Sequence, residues 1–197
     1  MTALRRRVYD RHQSAWFRLR LAESTGIIPG RFEGSLDFDH PDRVLAWIEA
    51  LALPGLNDRA EIDSMKARGQ LFVGVLNGGS LIGYVKIGWE RVWVVDYGTD
   101  LAIPAGDYFI IDIFIDPALR GLGAGPFLVS AAAEEMKRRG FSGSIMHIRL
   151  DKQPMLRTAA RTGYHEIGRV DYISVCGKKL FRPHPATLIA AATGHGK

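Results

Sequence analysis

Cysteine is almost missing from this chain of 197 residues, where Cys176 stands alone. No internal disulfide can form, and zinc sites built from two or four thiolates are ruled out for the same reason. Such usage fits a reducing, cytoplasmic setting. Long apolar runs are lacking too. The longest strongly apolar stretch, Tyr108 to Ile115, is interrupted by Asp112 and falls far short of the roughly 20 residues of a membrane-spanning helix. Secretory signal, lipidation motif and internal repeat are all absent, so no membrane partner is expected.

An excess of one charge is confined to one end. The net charge is +5, yet Arg5, Arg6, Arg7, Arg11, Arg18 and Arg20 crowd the start of the chain against Asp10 alone. The remainder carries equal numbers of basic and acidic residues. A neutral body argues against nucleic acid as a partner, and the Arg-rich start reads as a solvated terminal segment.

What is present is the composition of a globular domain, 47% apolar and 24% charged, which suffices for a buried core. Residues 1–182 are expected to form a single domain, with 183–197 as a loose tail holding Pro183, Pro185, an Ala-rich run and Gly194. The alternation of Phe17, Leu19 and Leu21 with Arg18, Arg20 and Ala22 predicts a first strand. Asp39 and Pro41 start a helix with Val44, Leu45, Ile48 and Leu51 on one face, stopped by Pro54-Gly55. A second, shorter helix is expected from about Asp58 to Arg68. Leu71 to Leu76 and Leu81 to Trp89 flank Asn77-Gly78-Gly79-Ser80, a hairpin signal.

After a polar connection with Gly98, Pro104 and Gly106, Tyr108 to Ile115 is apolar on both faces and reads as a central strand. Helices over Pro126 to Arg139 and Pro154 to Thr162 then alternate with strands over Ser144 to Leu150 and Ile167 to Val175. The order is that of an α/β fold with a mixed sheet.

The segment that carries chemistry is Asp116-Pro117-Ala118-Leu119 followed by Arg120-Gly121-Leu122-Gly123-Ala124-Gly125. A strand feeding a glycine turn at a helix N-terminus aims free backbone N–H groups and the positive end of the helix dipole at one point, which suits a pyrophosphate. The Gly-Lys-Ser/Thr end of a P-loop is missing, as is a G-x-G-x-x-G after a first strand near the N-terminus, so neither a nucleoside triphosphate nor a dinucleotide site is indicated.

Arg120 to Gly125 resembles the R/Q-x-x-G-x-G/A acyl-CoA signature of the GNAT superfamily of N-acetyltransferases, in that family's setting of strand, Asp-Pro, glycine loop and helix. Downstream, Ala159-Ala160-Arg161-Thr162-Gly163-Tyr164 is similar to the family's xEKxGF helix end. The resemblance implies a mixed central sheet of about six to seven strands flanked by helices, with the family's fourth and fifth strands splayed. It further implies acetyl-CoA as acyl donor and no metal. The pantetheine arm is then expected beside Ile113, Phe114 and Ile115, and the pyrophosphate on Arg120, Gly121, Leu122, Gly123, Ala124 and Gly125. Pro126 departs from an ideal cradle because it has no N–H.

Amine acetylation needs a base, donors for the oxyanion and an acid for the leaving thiolate. Asp112 is the only acid in its apolar strand, expected on the side of Ile110 and Phe114, where desolvation should raise its pKa toward a useful base range. The alternative reading is a buried carboxylate satisfied by backbone, His147 or Arg149. His147, expected next to Asp112, suggests a proton relay, and Glu90 is an alternative base or anchor. Trp89, Trp93 and Tyr97 line an acceptor pocket or pack a hairpin core.

Two features of the family are missing. Ala159 stands where many members place the tyrosine that protonates the thiolate, and Lys152 where an asparagine often contacts pantetheine. Tyr164 or a water is left for the first task. The expected function is acetyl transfer from acetyl-CoA to a primary amine of a small molecule by direct attack, by a single chain or a homodimer. Transfer of a longer acyl chain, with room made by Ala159, and a catalytically silent CoA-binding module are the alternatives.

Overall fold

The computed structural model describes residues 9–31, 34–51, 63–64, 67–94, 96–175 and 178–193. Arg5 to Arg7, Cys176, Gly194 and most of the helix expected from Asp58 to Arg68 lie outside them. The strands are β1 (Tyr9–Arg20), β2 (Gly34–Asp37), β3 (Leu71–Asn77), β4 (Ser80–Gly88), β5 (Arg91–Val94), β6 (Thr99–Ala102), β7 (Asp107–Ile115), β8 (Gly143–Arg149), β9 (His165–Val175) and β10 (Lys178–Arg182). The helices are α1 (Pro41–Leu51), α2 (Ala124–Arg138), α3 (Gln153–Arg161) and α4 (Pro185–Thr193). No helix among the described residues is long and apolar enough to cross a membrane.

Eight strands form one sheet in the order β10-β9-β1-β8-β7-β4-β3-β2, and β5 and β6 form a separate hairpin. The sheet is therefore larger than the six to seven strands expected. β2 has only four residues, and β10 is an edge strand with Leu180 exposed, so neither carries the alternation of a half-buried strand. Every neighbouring pair in the sheet is antiparallel except β7 with β8, which α2 connects. The Asn77-Gly78-Gly79-Ser80 turn forms as expected: Asn77 pairs with Ser80, and Gly78 and Gly79 both have positive φ, the requirement of a two-residue type I′ turn.

Alternation along the strands divides the core between the two faces. Ala15, Phe17, Val85, Ile87, Tyr108, Ile110 and Met146 pack with Phe127 and Leu128 of α2. On the other face Trp16, Phe109 and Ile145 pack with Val92, Val94 and Leu101 of the β5–β6 hairpin and Ile189 of α4, while Phe72 and Tyr84 pack with Val44 and Ile48 of α1. That second face thus carries two covers, the hairpin and α1, with β7 running between them.

Part of the expected loose tail, residues 185–193, is helix. Pro185 suits the first helical position and the Ala-rich run has high helix propensity. Ile189 is buried, and Leu188 lies where a Cβ on Gly168 of β9 would be.

Candidate active site

β7 and β8 pair at one end and part at the other. Their register runs from Asp107↔Gly143 to Ile110↔Met146 and stops there. The paired end is pinned: Arg18 of β1 grips the Asp107 carboxylate through both Nε (3.1 Å) and Nη2 (3.2 Å). Gly143 must lack a side chain there, because a Cβ would collide with that carboxylate. The parting coincides with a bulge. Lys86 of β4 faces Asp112, but the adjacent Ile87 faces Ile110, so Ile111 is an extra residue in β7, and a bulge bends the strand that carries it.

The bulge reverses which side chains share a face. Ile110 packs with the α2 side, whereas Asp112 shares the face of Tyr84 and Phe114. The sequence reading that set Asp112 with both Ile110 and Phe114 is corrected on this point, since strict alternation cannot register an inserted residue. Asp112 is half-buried, not sealed in, and it accepts a 2.8 Å hydrogen bond from the Tyr84 hydroxyl.

Beyond the bulge the main chain of β7 alternates as well. Asp116 N–H donates to Ile82 O at 2.9 Å, so its alternates Phe114 and Asp112 also turn toward β4, and Ile113 and Ile115 turn toward the gap. Arg120 Nε bonds the Ile115 carbonyl at 3.1 Å, and its guanidinium lies over the Phe114 ring. The first residue of the glycine loop thereby ties that loop to the end of the splayed strand.

Asp116 caps a short 3₁₀ turn by accepting Ala118 N–H, and the loop then enters α2 through Gly121 (φ +86°) and Gly123 (φ +87°), both left-handed. Among the described residues, the N–H groups of Gly121, Leu122, Gly123, Ala124 and Gly125 meet no protein acceptor. Pro126 falls inside the first turn of α2, where its missing N–H breaks no helical bond. A Cβ on Gly121 would meet nothing, but one on Gly123 would meet Gly30 Cα at 3.2 Å, because the segment at Gly30 and Arg31 crosses the loop and Arg31 N–H bonds Leu122 O. Gly123 is thus needed for packing as well as for its dihedral. Five free amides at a helix N-terminus fit a diphosphate.

The other expected site residues scatter. His147 lies on the face away from α2, stacked on Trp16 and Phe109, and its Nε2 is 3.1 Å from Oδ2 of Asp96 at the tip of the β5–β6 hairpin. His147 and Asp112 thus take different partners, Asp96 and Tyr84. Glu90 is exposed in the turn after β4, beyond the Gly88↔Phe109 pair and so at the closed end of β7. The three aromatics do not converge: Trp89 packs on Phe141, Trp93 is 48% exposed, and Tyr97 is core. Sequence reasoning missed Asp96, which sat in a connection with no motif. Among the described residues no three His, Cys, Asp or Glu side chains are grouped to hold a metal.

The model of the acetyltransferase (GNAT) family matches residues 33–164, about two thirds of the chain. The chain belongs to the GNAT family. No curated protein matches it. Solved GNAT structures share its fold at low identity. A GCN5-related N-acetyltransferase from Sphaerobacter thermophilus aligns at 14% identity and TM-score 0.57 over 88% of this chain and 55% of its own. A glucosamine N-acetyltransferase region of a fungal multi-domain β-N-acetylglucosaminidase gives 17% and 0.56, over 84% and 21%. AAC(6')-Iy, in complex with the bisubstrate analogue CoA-S-monomethyl-acetylneamine, gives 15% and 0.52, over 68% and 92%. The chain thus spans little more than half the length of the first of these relatives and about a fifth of the second.

Against the GNAT pattern, the substitutes for the usual thiolate acid stand differently from expectation. Position 159 is not a vacancy: Ala159 is fully buried in the core under α2. Tyr164 is also buried, with its hydroxyl on Ser144 Oγ, and Ser144 pairs with Tyr108 at the closed end of the sheet. Burial pushes the pKa of Tyr164 well above its ordinary value, which fits a structural hydroxyl.

Proposed function

We propose that this GNAT chain transfers the acetyl group of acetyl-CoA to a primary amine of a small molecule by direct attack. The observation that carries the reading is the gap between β7 and β8, with the main chain of Ile113 and Ile115 facing into it and the free amides of the glycine loop at its end. Ile113 and Ile115 would pair with the pantetheine arm, and Gly121, Leu122, Gly123, Ala124 and Gly125 would hold the pyrophosphate.

Asp112, held by Tyr84 on the far side of the bulge, is assigned to the acceptor's amino group. A carboxylate there binds the ammonium form by charge and hydrogen bonding. The burial of Ala159 supports acetyl over a longer acyl group, since no space is left above it. An amino sugar or aminoglycoside is the favoured acceptor class, in keeping with the glucosamine and acetylneamine named for two structural relatives. The single cysteine supports a reducing, cytoplasmic setting.

Release of free thiol from acetyl-CoA over a panel of amino sugars, aminoglycosides and polyamines tests the reading. At least one amine is expected to be acetylated, with kcat/KM about 10- to 10²-fold lower in Asp112→Asn as a hydrogen bond to a charged group is lost. Binding of acetyl-CoA with no turnover on any amine would instead favour a silent binding module.

A further inference from the structure

His147 is held on every side. It is the first residue of β8 beyond the last pair with β7. Its ring stacks on Trp16 at 5.2 Å and on Phe109 at 6.0 Å, with Tyr97 at 5.5 Å. Its side chain is only 10% exposed, so three aromatic rings fix the orientation of the imidazole.

The two ring nitrogens then have different surroundings. Nε2 lies against the Asp96 carboxylate, which selects the tautomer with hydrogen on Nε2. Nδ1 is left with its lone pair, buried and without a hydrogen-bond partner among the described residues. A buried acceptor with no donor is unfavourable unless a ligand supplies one. The gap between β7 and β8 opens beside this residue, and it is where the proposed acyl transfer would occur.

The charges around the pair come from several elements. Arg149 of β8 and His12 of β1 act on Asp96, and Lys179 of β10 donates to the Asp96 carbonyl. Asp112 is the nearest acid along β7 beyond the bulge.

Resting on the acyl-transfer reading, we propose that His147, oriented by Asp96, takes the proton of the attacking amine and returns it to the departing sulfur. The amine nitrogen forms a bond to the thioester carbonyl carbon as the carbon–sulfur bond breaks. The ammonium held by Asp112 first releases one proton to solvent, which frees the lone pair; the second proton leaves nitrogen for Nδ1 as the new bond forms and then passes to the thiolate, so charge and atoms balance. Asp96 is a positioning residue, and Asp112 anchors the amine. The same imidazole thereby does the work of the missing tyrosine at Ala159.

Imidazole ¹⁵N spectra of the full chain with and without acetyl-CoA test this, with His147 assigned by its loss in His147→Gln. In the free protein at neutral pH, Nδ1 of His147 should resonate as an unprotonated nitrogen. Acetyl-CoA should shift it more than the nitrogens of any other histidine. If acetyl-CoA raises the melting temperature but leaves His147 unmoved, the inference fails while the acyl-CoA reading stands; if it gives no stabilisation, both fail.

Kinetics on whichever panel amine turns over give the second arm. His147→Gln should lower kcat by about 10² or more with acetyl-CoA stabilisation retained. Asp96→Asn should lower kcat about 10-fold or more while leaving KM for acetyl-CoA unchanged, because the ring loses the partner that orients it. Unchanged kcat in either variant, or a change in the second confined to KM, would overturn the assignment. The spectra of the wild-type chain decide the matter if either variant fails to fold.

Discussion

At the scale of the residue, the site turns on side chains whose roles depend on their neighbours. Ala159 is the clearest case. From sequence it was a gap awaiting a tyrosine; in the fold it is packed under α2 with no exposure. Ala159→Tyr should therefore overpack the core and cost about 1–3 kcal/mol, seen as a lowered thermal midpoint. A variant as stable as wild type would show that space exists there after all.

Asp96 gives a prediction in pH. The hydrogen bond from His147, then the charges of His147, His12 and Arg149, lower its pKa against a smaller opposing effect of burial. A lowered carboxylate stabilises the fold above its ordinary pKa of about 3.9, and that contribution is lost as pH falls through the lowered value. Asp96→Asn should thus be less stable than wild type near neutral pH, with the difference shrinking in strong acid. Urea midpoints for both proteins across that range would show it, and curves that stay parallel would contradict it.

At the scale of the element, the hairpin turn, the βαβ unit and the glycine loop were legible because each rests on local signals. Asn77-Gly78-Gly79 needs positive φ, the β7 segment is apolar on both faces, and Gly121 and Gly123 bracket a helix start. The bulge at Ile111 was not legible, since no glycine or proline marks it and it exists only against β4. The β5–β6 hairpin was hidden for a related reason: its apolar residues Val92, Val94 and Leu101 are few and pack onto a face built from distant strands. Hence His147 was expected beside Asp112, while its actual partner, Asp96, lay in a segment read as a connection.

The closed end of the β7–β8 pair makes the open end meaningful. Gly143→Ala would drive a methyl group into the buried Asp107 carboxylate and disturb its two-point ion pair with Arg18. Breaking such a pair costs about 3 kcal/mol or more. Chemical denaturation should register that loss, whereas a neutral substitution would mean that Arg18 and Asp107 do not pin the strands.

At the scale of the whole molecule, the chain is a GNAT fold with one sheet opened at a single seam, and the family signature lies where the seam ends. Family membership, the α/β class and the glycine loop could be read from sequence. The eighth strand, the α4 helix and the two covers over the second face needed tertiary contacts to be seen. On the proposed reading those covers would set the acceptor, which is why its identity was the least legible property.

The central claim is that the glycine loop and the seam bind acetyl-CoA, and calorimetric titration of wild type against Gly121→Asp tests it most directly. Position 121 is suited to this because a side chain there meets no protein atom, and aspartate tolerates the left-handed conformation better than most residues. It also brings a negative charge to the anion cradle. The account predicts saturable binding of acetyl-CoA to wild type and its loss in a Gly121→Asp protein that still unfolds cooperatively. Equal affinity in the two proteins, or no binding by wild type at millimolar donor, would contradict it.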